Sequence, residues 1–136
     1  MPNEGKPDLM NYVLQKASNA YFDWHLMLWT NPSYTPSNSS VYSDLVDATF
    51  GGYTRIVLTH SLWTSPVIVS DKAVSTWGTT PYTWTVTSSP QTIYGYAIIR
   101  PTSPVIYAIQ ALADPIPLVS GGIIGILPRL QFATAA

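Results

Sequence analysis

The sequence has no cysteine and few charged residues. Without cysteine the chain cannot build a zinc ribbon, an iron–sulfur cluster or a thiol nucleophile. Only 10% of its 136 residues are charged, the formal net charge is −1 and the pI is about 6.0. Because a surface that binds phosphates needs concentrated positive charge, we expect no nucleic-acid partner.

A long uninterrupted apolar run is also missing. The most apolar segment, residues 116–127, is about twelve residues long and contains Pro117 and three glycines. A membrane-spanning helix needs about 20 apolar residues. The first eight residues are polar and show no pattern of a secretory signal. We therefore expect a soluble protein made in the cytoplasm, with no membrane partner.

In place of charge the chain has 15 threonines, 14 serines, 12 prolines, five tryptophans, nine tyrosines and three phenylalanines. β-branched and aromatic residues are enriched in strands, and serine and proline are enriched in turns. The composition therefore favours an all-β domain.

Eight segments have the apolar pattern and length of strands. They are residues 21–29, 53–59, 67–69, 73–77, 83–87, 92–100, 105–112 and 124–134. The separators are too short for the helical crossovers of a parallel sheet. We predict one domain over residues 1–136, an antiparallel β-sandwich of about eight strands, jelly-roll or Greek-key like. A small barrel gives the same hairpin pattern and is the alternative.

Three shorter features complete the prediction. Residues 1–8 are expected to form an extended arm, and residues 9–18 a short helix that begins after Asp8. Asp44 and Asp47 have capping-box spacing and precede two glycines, so residues 42–53 are predicted to hold one helical turn. Gly121 and Gly122 predict a hairpin turn. The residues expected to fill the core are Trp24, Leu26, Leu28, Ile56, Leu58, Ile93, Ile98 and Phe132.

Candidate catalytic and metal-binding groups are few. The two histidines, His25 and His60, are far apart and offer no spacing typical of a zinc site. Asp44 and Asp47 superficially resemble an acid–base pair, but helix capping accounts for both carboxylates. No serine lies in a nucleophile-elbow motif. We predict no catalytic residue, no metal site, no cofactor and no enzymatic activity.

The aromatic residues are more numerous than a core of this size readily encloses, so some of them are expected at a surface that meets another molecule. Arg55, Arg100 and Arg129 lie in predicted strands, where they are expected to form ion pairs with Asp23, Asp44 or Asp47 or, for Arg100 and Arg129, to reach an interface. Residues 31–40 hold two prolines and several turn formers, and are predicted to be a surface contact loop. The candidate interface residues are Trp29, Tyr34, Trp63, Trp77, Arg100 and Arg129.

Several stretches, in matching order along most of the chain, resemble a group of small structural proteins of tailed bacteriophages. Residues 26–31 (LMLWTN) with the later YTP at residues 34–36 are similar to that group's first strand and loop. Residues 44–55 (DLVDATFGGYTR) resemble its DFTEATFxGYxR segment, and residues 91–96 (QTIYGY) resemble its xTIYGY strand.

The resemblance implies a virion component of mostly β structure without catalytic activity. We therefore expect a capsid cement or decoration protein that binds and stabilises the shell of the major capsid protein, lies on the capsid surface and self-associates as a dimer or trimer. The alternative is a tail-associated or fibre-associated module that stacks receptor glycans on tryptophan and tyrosine.

Overall fold

The computed structural model describes residues 2, 4–5, 23–59, 62–70 and 72–133. These residues form nine strands and one short 3-10 helix, Tyr42–Asp44. The strands are β1 (Trp24–Trp29), β2 (Ile56–Leu58), β3 (Val67–Val69), β4 (Lys72–Thr76), β5 (Tyr82–Thr85), β6 (Thr92–Ile99), β7 (Ile106–Pro117), β8 (Ile123–Ile126) and β9 (Arg129–Ala133). The prediction of a mostly β, antiparallel chain is confirmed, whereas the helix predicted at residues 9–18 lies outside the described residues.

The nine strands form three antiparallel sheets. Their strand orders are β2-β1-β6-β7, β3-β4-β9 and β5-β8. The last predicted strand is in fact two strands, because Pro128 lies between β8 and β9 and has no N–H to donate. The Pro128 carbonyl accepts a hydrogen bond from the Trp77 N–H at 3.0 Å. β8 pairs with β5 and β9 pairs with β4, so the two strands belong to different sheets.

The four-stranded sheet is covered on both faces. One face contributes Leu26, Leu28, Ile93 and Ile98 to a first core cluster, which also contains Trp84, Ile124 and Ile126 from the β5-β8 sheet. The opposite face contributes to a second core cluster formed by Met27, Trp29, Ala97, Ile99 and Ile106. Because neighbouring residues of a strand point to opposite faces, β1 is apolar at consecutive positions.

The predicted core is largely confirmed. Six of its eight residues are buried, and Trp24 packs against the first core cluster while remaining partly exposed. The side chain of Phe132 lies outside the described part of the chain. Gly95 in β6 explains how a large ring fits the second cluster, since a Cβ there would lie 2.2 Å from the Trp29 ring and 2.3 Å from the Gln110 carbonyl oxygen.

Two local predictions are wrong in their details. Residues 42–44 form the expected helical turn, and the Asp44 carboxylate accepts from the Val41 N–H at 3.0 Å, but the chain is extended by Asp47, which forms a bridge with Trp29. Residues 119–122 do make a turn, closed by a bond from the Gly122 N–H to the Val119 carbonyl. That turn is not a hairpin, since β7 pairs with β6 and β8 pairs with β5.

Among the strands whose side chains are described throughout, β3 is the least covered. All three of its residues are exposed, whereas β1 and β6 have most residues buried. Within the described part of the chain, no helix has both the length and the apolar character needed to cross a membrane.

Candidate interaction surface

A groove with a volume of about 690 Å³ runs along β7, the edge strand of the four-stranded sheet. Four consecutive residues, 107–110, line it. Ala108 packs against the first core cluster and Ile109 against the second, so residues from both faces of β7 line the groove, which places it at the edge of the strand. No described strand pairs with this edge of β7. Such an edge is a template on which a further extended segment can pair.

The residues that line the groove come from distant parts of the sequence. Pro36, Ser37 and Asn38 of the predicted contact loop line it, together with Pro2. Lys72, Arg129 and Leu130 line it as well. The structure thus brings the predicted contact loop and one predicted interface arginine to the same surface, which the sequence did not indicate.

Positive charge prevails in the groove. Lys72 and Arg129 are both exposed, and none of the described residues that line the groove is acidic. Tyr96 also lines it, and burial raises the pKa of the Tyr96 hydroxyl while the positive charge of Arg129 acts in the opposite direction. The hydroxyl therefore remains a neutral hydrogen-bonding group near neutral pH.

The contact loop, which contributes Pro36, Ser37 and Asn38 to the groove, is held by its own side chains. The Tyr34 hydroxyl lies 2.8 Å from the Ser40 Oγ, which also accepts from the Ser37 N–H at 2.9 Å. Asn31 donates to the Asp44 carbonyl at 2.7 Å and accepts from the Val46 N–H at 2.7 Å. These bonds fix the shape of the loop before any partner binds, which lowers the entropic cost of association.

Glu4, near the N-terminus, forms hydrogen bonds to two residues of the second core cluster and its surroundings. A single Glu4 carboxylate oxygen accepts from the Tyr42 N–H at 3.0 Å and from the Ile106 N–H at 2.6 Å. Gly5 is buried against the Ile106 carbonyl, where a Cβ would lie 2.3 Å from the oxygen. The described residues of the predicted arm therefore pack against the start of β7, a role for Glu4 that sequence reasoning missed because no local pattern marks it.

A polar cluster joins the segment after the contact loop to β1. The Asp47 carboxylate accepts from Arg55 at 2.8 Å and from the Tyr53 hydroxyl at 2.6 Å. The same hydroxyl accepts from the Leu28 N–H at 3.2 Å, and Arg55 also donates to the Tyr42 hydroxyl at 2.5 Å. Burial, then the bond to Asp47, raises the pKa of Tyr53 well above its usual value. The predicted ion pair of Arg55 is confirmed, with Asp47 as its partner.

This cluster has the features of a structural clamp. Both carboxylate oxygens of Asp47 accept hydrogen bonds from neighbouring side chains. Burial, followed by the positive charge of Arg55, lowers the pKa of His25. No group of three or more His, Asp or Glu residues that would suit a metal ion occurs among the described residues, and His60 lies outside them.

The predicted interface residues occupy different environments. Trp29 and Trp77 are buried in the two core clusters, where their rings are not accessible to a partner. Tyr34 and Trp63 are partly buried against those clusters. Arg100 donates to the carbonyls of Thr102 and Ser103 in its own turn. Of the six, Arg129 lines the groove.

The expected surface excess of aromatic residues is not seen for tryptophan, since none of the five is exposed. Their rings instead fill the space between the sheets, as in the pairs Trp24–Tyr107 and Tyr53–Trp84. The large apolar side chains with at least half of their surface exposed are aliphatic: Val46, Leu62, Val67, Ile68, Val119 and Ile123. Comparisons of the chain with protein-family models, with curated proteins and with solved structures each gave no match.

Proposed function

We propose that this protein is a non-enzymatic structural component of a bacteriophage particle, a cement or decoration protein that binds the shell of the major capsid protein. The assignment to a phage depends on the resemblance of residues 26–36, 44–55 and 91–96 to phage structural proteins. The observation that supports a binding role is the groove along β7, where the edge of a strand, a hydrogen-bonded loop and two cations meet. We also propose that the sheets stack as a β-sandwich of jelly-roll or Greek-key type.

The groove suits an extended segment that carries carboxylates. A segment that pairs with residues 107–110 would gain main-chain hydrogen bonds from β7. Its acidic side chains would lie near Lys72 and Arg129, and charge complementarity of this kind sets register and accelerates encounter. In our proposal the partner is an acidic extended segment of the capsid protein.

The segment that most resembles the phage proteins supports this arrangement indirectly. Asp47, Tyr53 and Arg55 of that segment hold each other, and Arg55 reaches Tyr42 at the end of the contact loop. The clamp therefore holds the chain just after the contact loop, whose residues 36–38 line the groove. All five tryptophans are buried fully or in part, and Tyr82 is the one exposed aromatic side chain among the described residues. Glycan stacking is therefore the weaker alternative, because it needs exposed aromatic faces.

The test compares charge reversal at two arginines. Capsids assembled without this protein are mixed with the wild type, with Arg129→Glu or with Arg100→Glu, and bound protein is quantified by mass spectrometry. We expect wild type and Arg100→Glu to bind in proportion to the capsid subunits, because Arg100 bonds its own turn. Arg129→Glu should bind at least tenfold more weakly.

Location in the particle is the companion measurement. If the protein copurifies with separated tails and does not bind capsids, the cement proposal fails and oligosaccharide binding becomes the next assay. Equal binding by both arginine variants would instead leave the capsid role standing and remove the groove from it.

A further inference from the structure

β3 combines high hydrophobicity with exposure on both faces. Val67, Ile68 and Val69 are 57%, 68% and 48% exposed. Since Ile68 points to one face of its sheet and the two valines to the other, neither face of β3 is covered by described residues. An apolar strand in this position is unfavourable in water unless something covers it.

The strand is also a free edge. Its one described partner is β4, and no described strand pairs with its other side. The residues just before β3 also lie beside β4 and the residue that follows it. Trp63 forms a β-bridge with Trp77, and the Thr64 N–H donates to the Thr76 carbonyl. Residues 62–70 include no charged side chain. Natural edges are commonly blocked by charge or proline, and here Pro66 alone provides such a block, at one end.

We propose that β3 is a self-association edge, on which β3 of a second copy pairs antiparallel about a two-fold axis through Ile68. The pairing joins two three-stranded sheets into one sheet of six strands. Val67 then lies opposite the partner's Val69, and Ile68 lies opposite the partner's Ile68. The sequence Val-Ile-Val is the same in both directions, so each β-branched side chain meets another one.

Geometry selects this register. In an antiparallel sheet with a perpendicular two-fold axis, residues that face each other must lie on the same face, so shifts by single residues are excluded. An axis at Val67 or at Val69 would place Pro66 or Ser70 opposite Ile68. The axis at Ile68 is the one that pairs all three aliphatic residues. Ser70, with a φ of 49°, begins the turn that ends the strand.

The size of the contact sets its strength. Stable interfaces bury roughly 1,200–2,000 Å² in total, and a three-residue ladder with its flanks is smaller. The dimer is therefore weak and forms at high protein concentration. The pairing does not depend on capsid binding, since no residue of β3 lines the groove.

The absence of cysteine makes crosslinking a direct test. In Ile68→Cys the two introduced thiols would lie directly opposite each other, at a Cβ separation of about 4.5–5.5 Å that allows a disulfide after small adjustments. We expect this variant to form a disulfide-linked dimer under mild oxidation at least tenfold faster than Val119→Cys, a control at another exposed aliphatic residue. Because Ile68 is exposed, the change should leave the thermal unfolding temperature unaltered.

Register is tested by mixing two variants. Val67→Cys and Val69→Cys should each crosslink slowly alone, and should crosslink rapidly when mixed. Sedimentation equilibrium of the unmodified chain, from micromolar to millimolar concentration, should show a dimer that is lost in Ile68→Lys and kept in Val119→Lys. Crosslinking of Ile68→Cys at the rate of Val119→Cys, or a wild type that stays monomeric at millimolar concentration, would overturn the proposal.

Discussion

β6 and β3 are both rich in β-branched aliphatic residues, yet they lie in opposite environments. In β6, Ile98 and Ile99 are fully buried, one on each face of the four-stranded sheet. In β3, Ile68 is 68% exposed. Both segments form strands although one is exposed and the other is buried. β-branched apolar residues therefore favour a strand in either environment, whereas burial depends on what covers the two faces of the strand. β6 lies between β1 and β7, whereas β3 has one neighbour, β4, among the described strands.

The sharpest test of this comparison truncates the same residue type in each strand. Ile98→Ala should lower the free energy of unfolding by about 2–5 kcal/mol, because it removes buried methyl groups and leaves a cavity. Ile68→Ala should change it by less than about 0.5 kcal/mol, since its side chain is largely in water. Urea unfolding of both variants at low protein concentration, where the monomer dominates, measures the two values. A loss at Ile68 equal to that at Ile98 would mean that β3 is covered within one chain.

A second test concerns packing density. Gly95→Ala should cost about 1–3 kcal/mol, because the new methyl group would overlap the Trp29 ring and the Gln110 carbonyl in the four-stranded sheet. Gly125→Ala is the control in the β5-β8 sheet, where a Cβ would lie 3.4 Å from its nearest neighbour, an ordinary contact. It should be neutral or slightly stabilising, since alanine restricts the unfolded chain. Equal losses in thermal or urea unfolding would contradict the idea that the larger sheet is the more tightly packed.

The smallest expected effect is a pH dependence confined to alkaline solution. Tyr53 packs against the four-stranded sheet, and its burial there raises the pKa of its hydroxyl. The folded protein therefore keeps the hydroxyl proton at a pH where the unfolded chain has lost it. The contribution is complete below about pH 10, the usual tyrosine pKa, and is lost as the pH rises through the folded value. Stability should therefore fall above pH 10.

Tyr53→Phe separates this contribution from those of other tyrosines. Burial also raises the pKa values of Tyr34 and Tyr96, so the variant should retain part of the alkaline decline while showing a shallower slope. The measurement is the urea unfolding free energy at several pH values above 9. An unchanged slope would show that the Tyr53 hydroxyl is not protected by the fold.

Strand positions were predictable because their signals are local. The apolar run of β1 and the turn residues between later segments placed most strands within a few residues. The division of residues 124–134 into two strands has one local signal in the sequence, Pro128. The distribution of strands among three sheets had none, since β8 and β9 are sequence neighbours that pair with β5 and β4.

The candidate site was less predictable for the same reason. Arg129 and the loop at residues 31–40 were both singled out from the sequence, but their meeting at β7 depends on contacts between distant residues. Trp29 and Trp77 were expected at a surface because the chain has more aromatic residues than one core of the expected size would enclose. That estimate failed because the four-stranded sheet has a core cluster on each face, so more aromatic side chains are enclosed than one core would hold.

Composition and local pattern determined that this chain is mostly β, antiparallel and poor in charge, because alternation and turn formation act over a few residues. They also predicted the Arg55 ion pair, although with three candidate partners. Tertiary structure decided which faces are covered, which arginine reaches the groove and which apolar strand remains exposed. Those outcomes depend on pairings between residues far apart in the chain, and the free energy of such pairings is set by the packed assembly of strands as a whole.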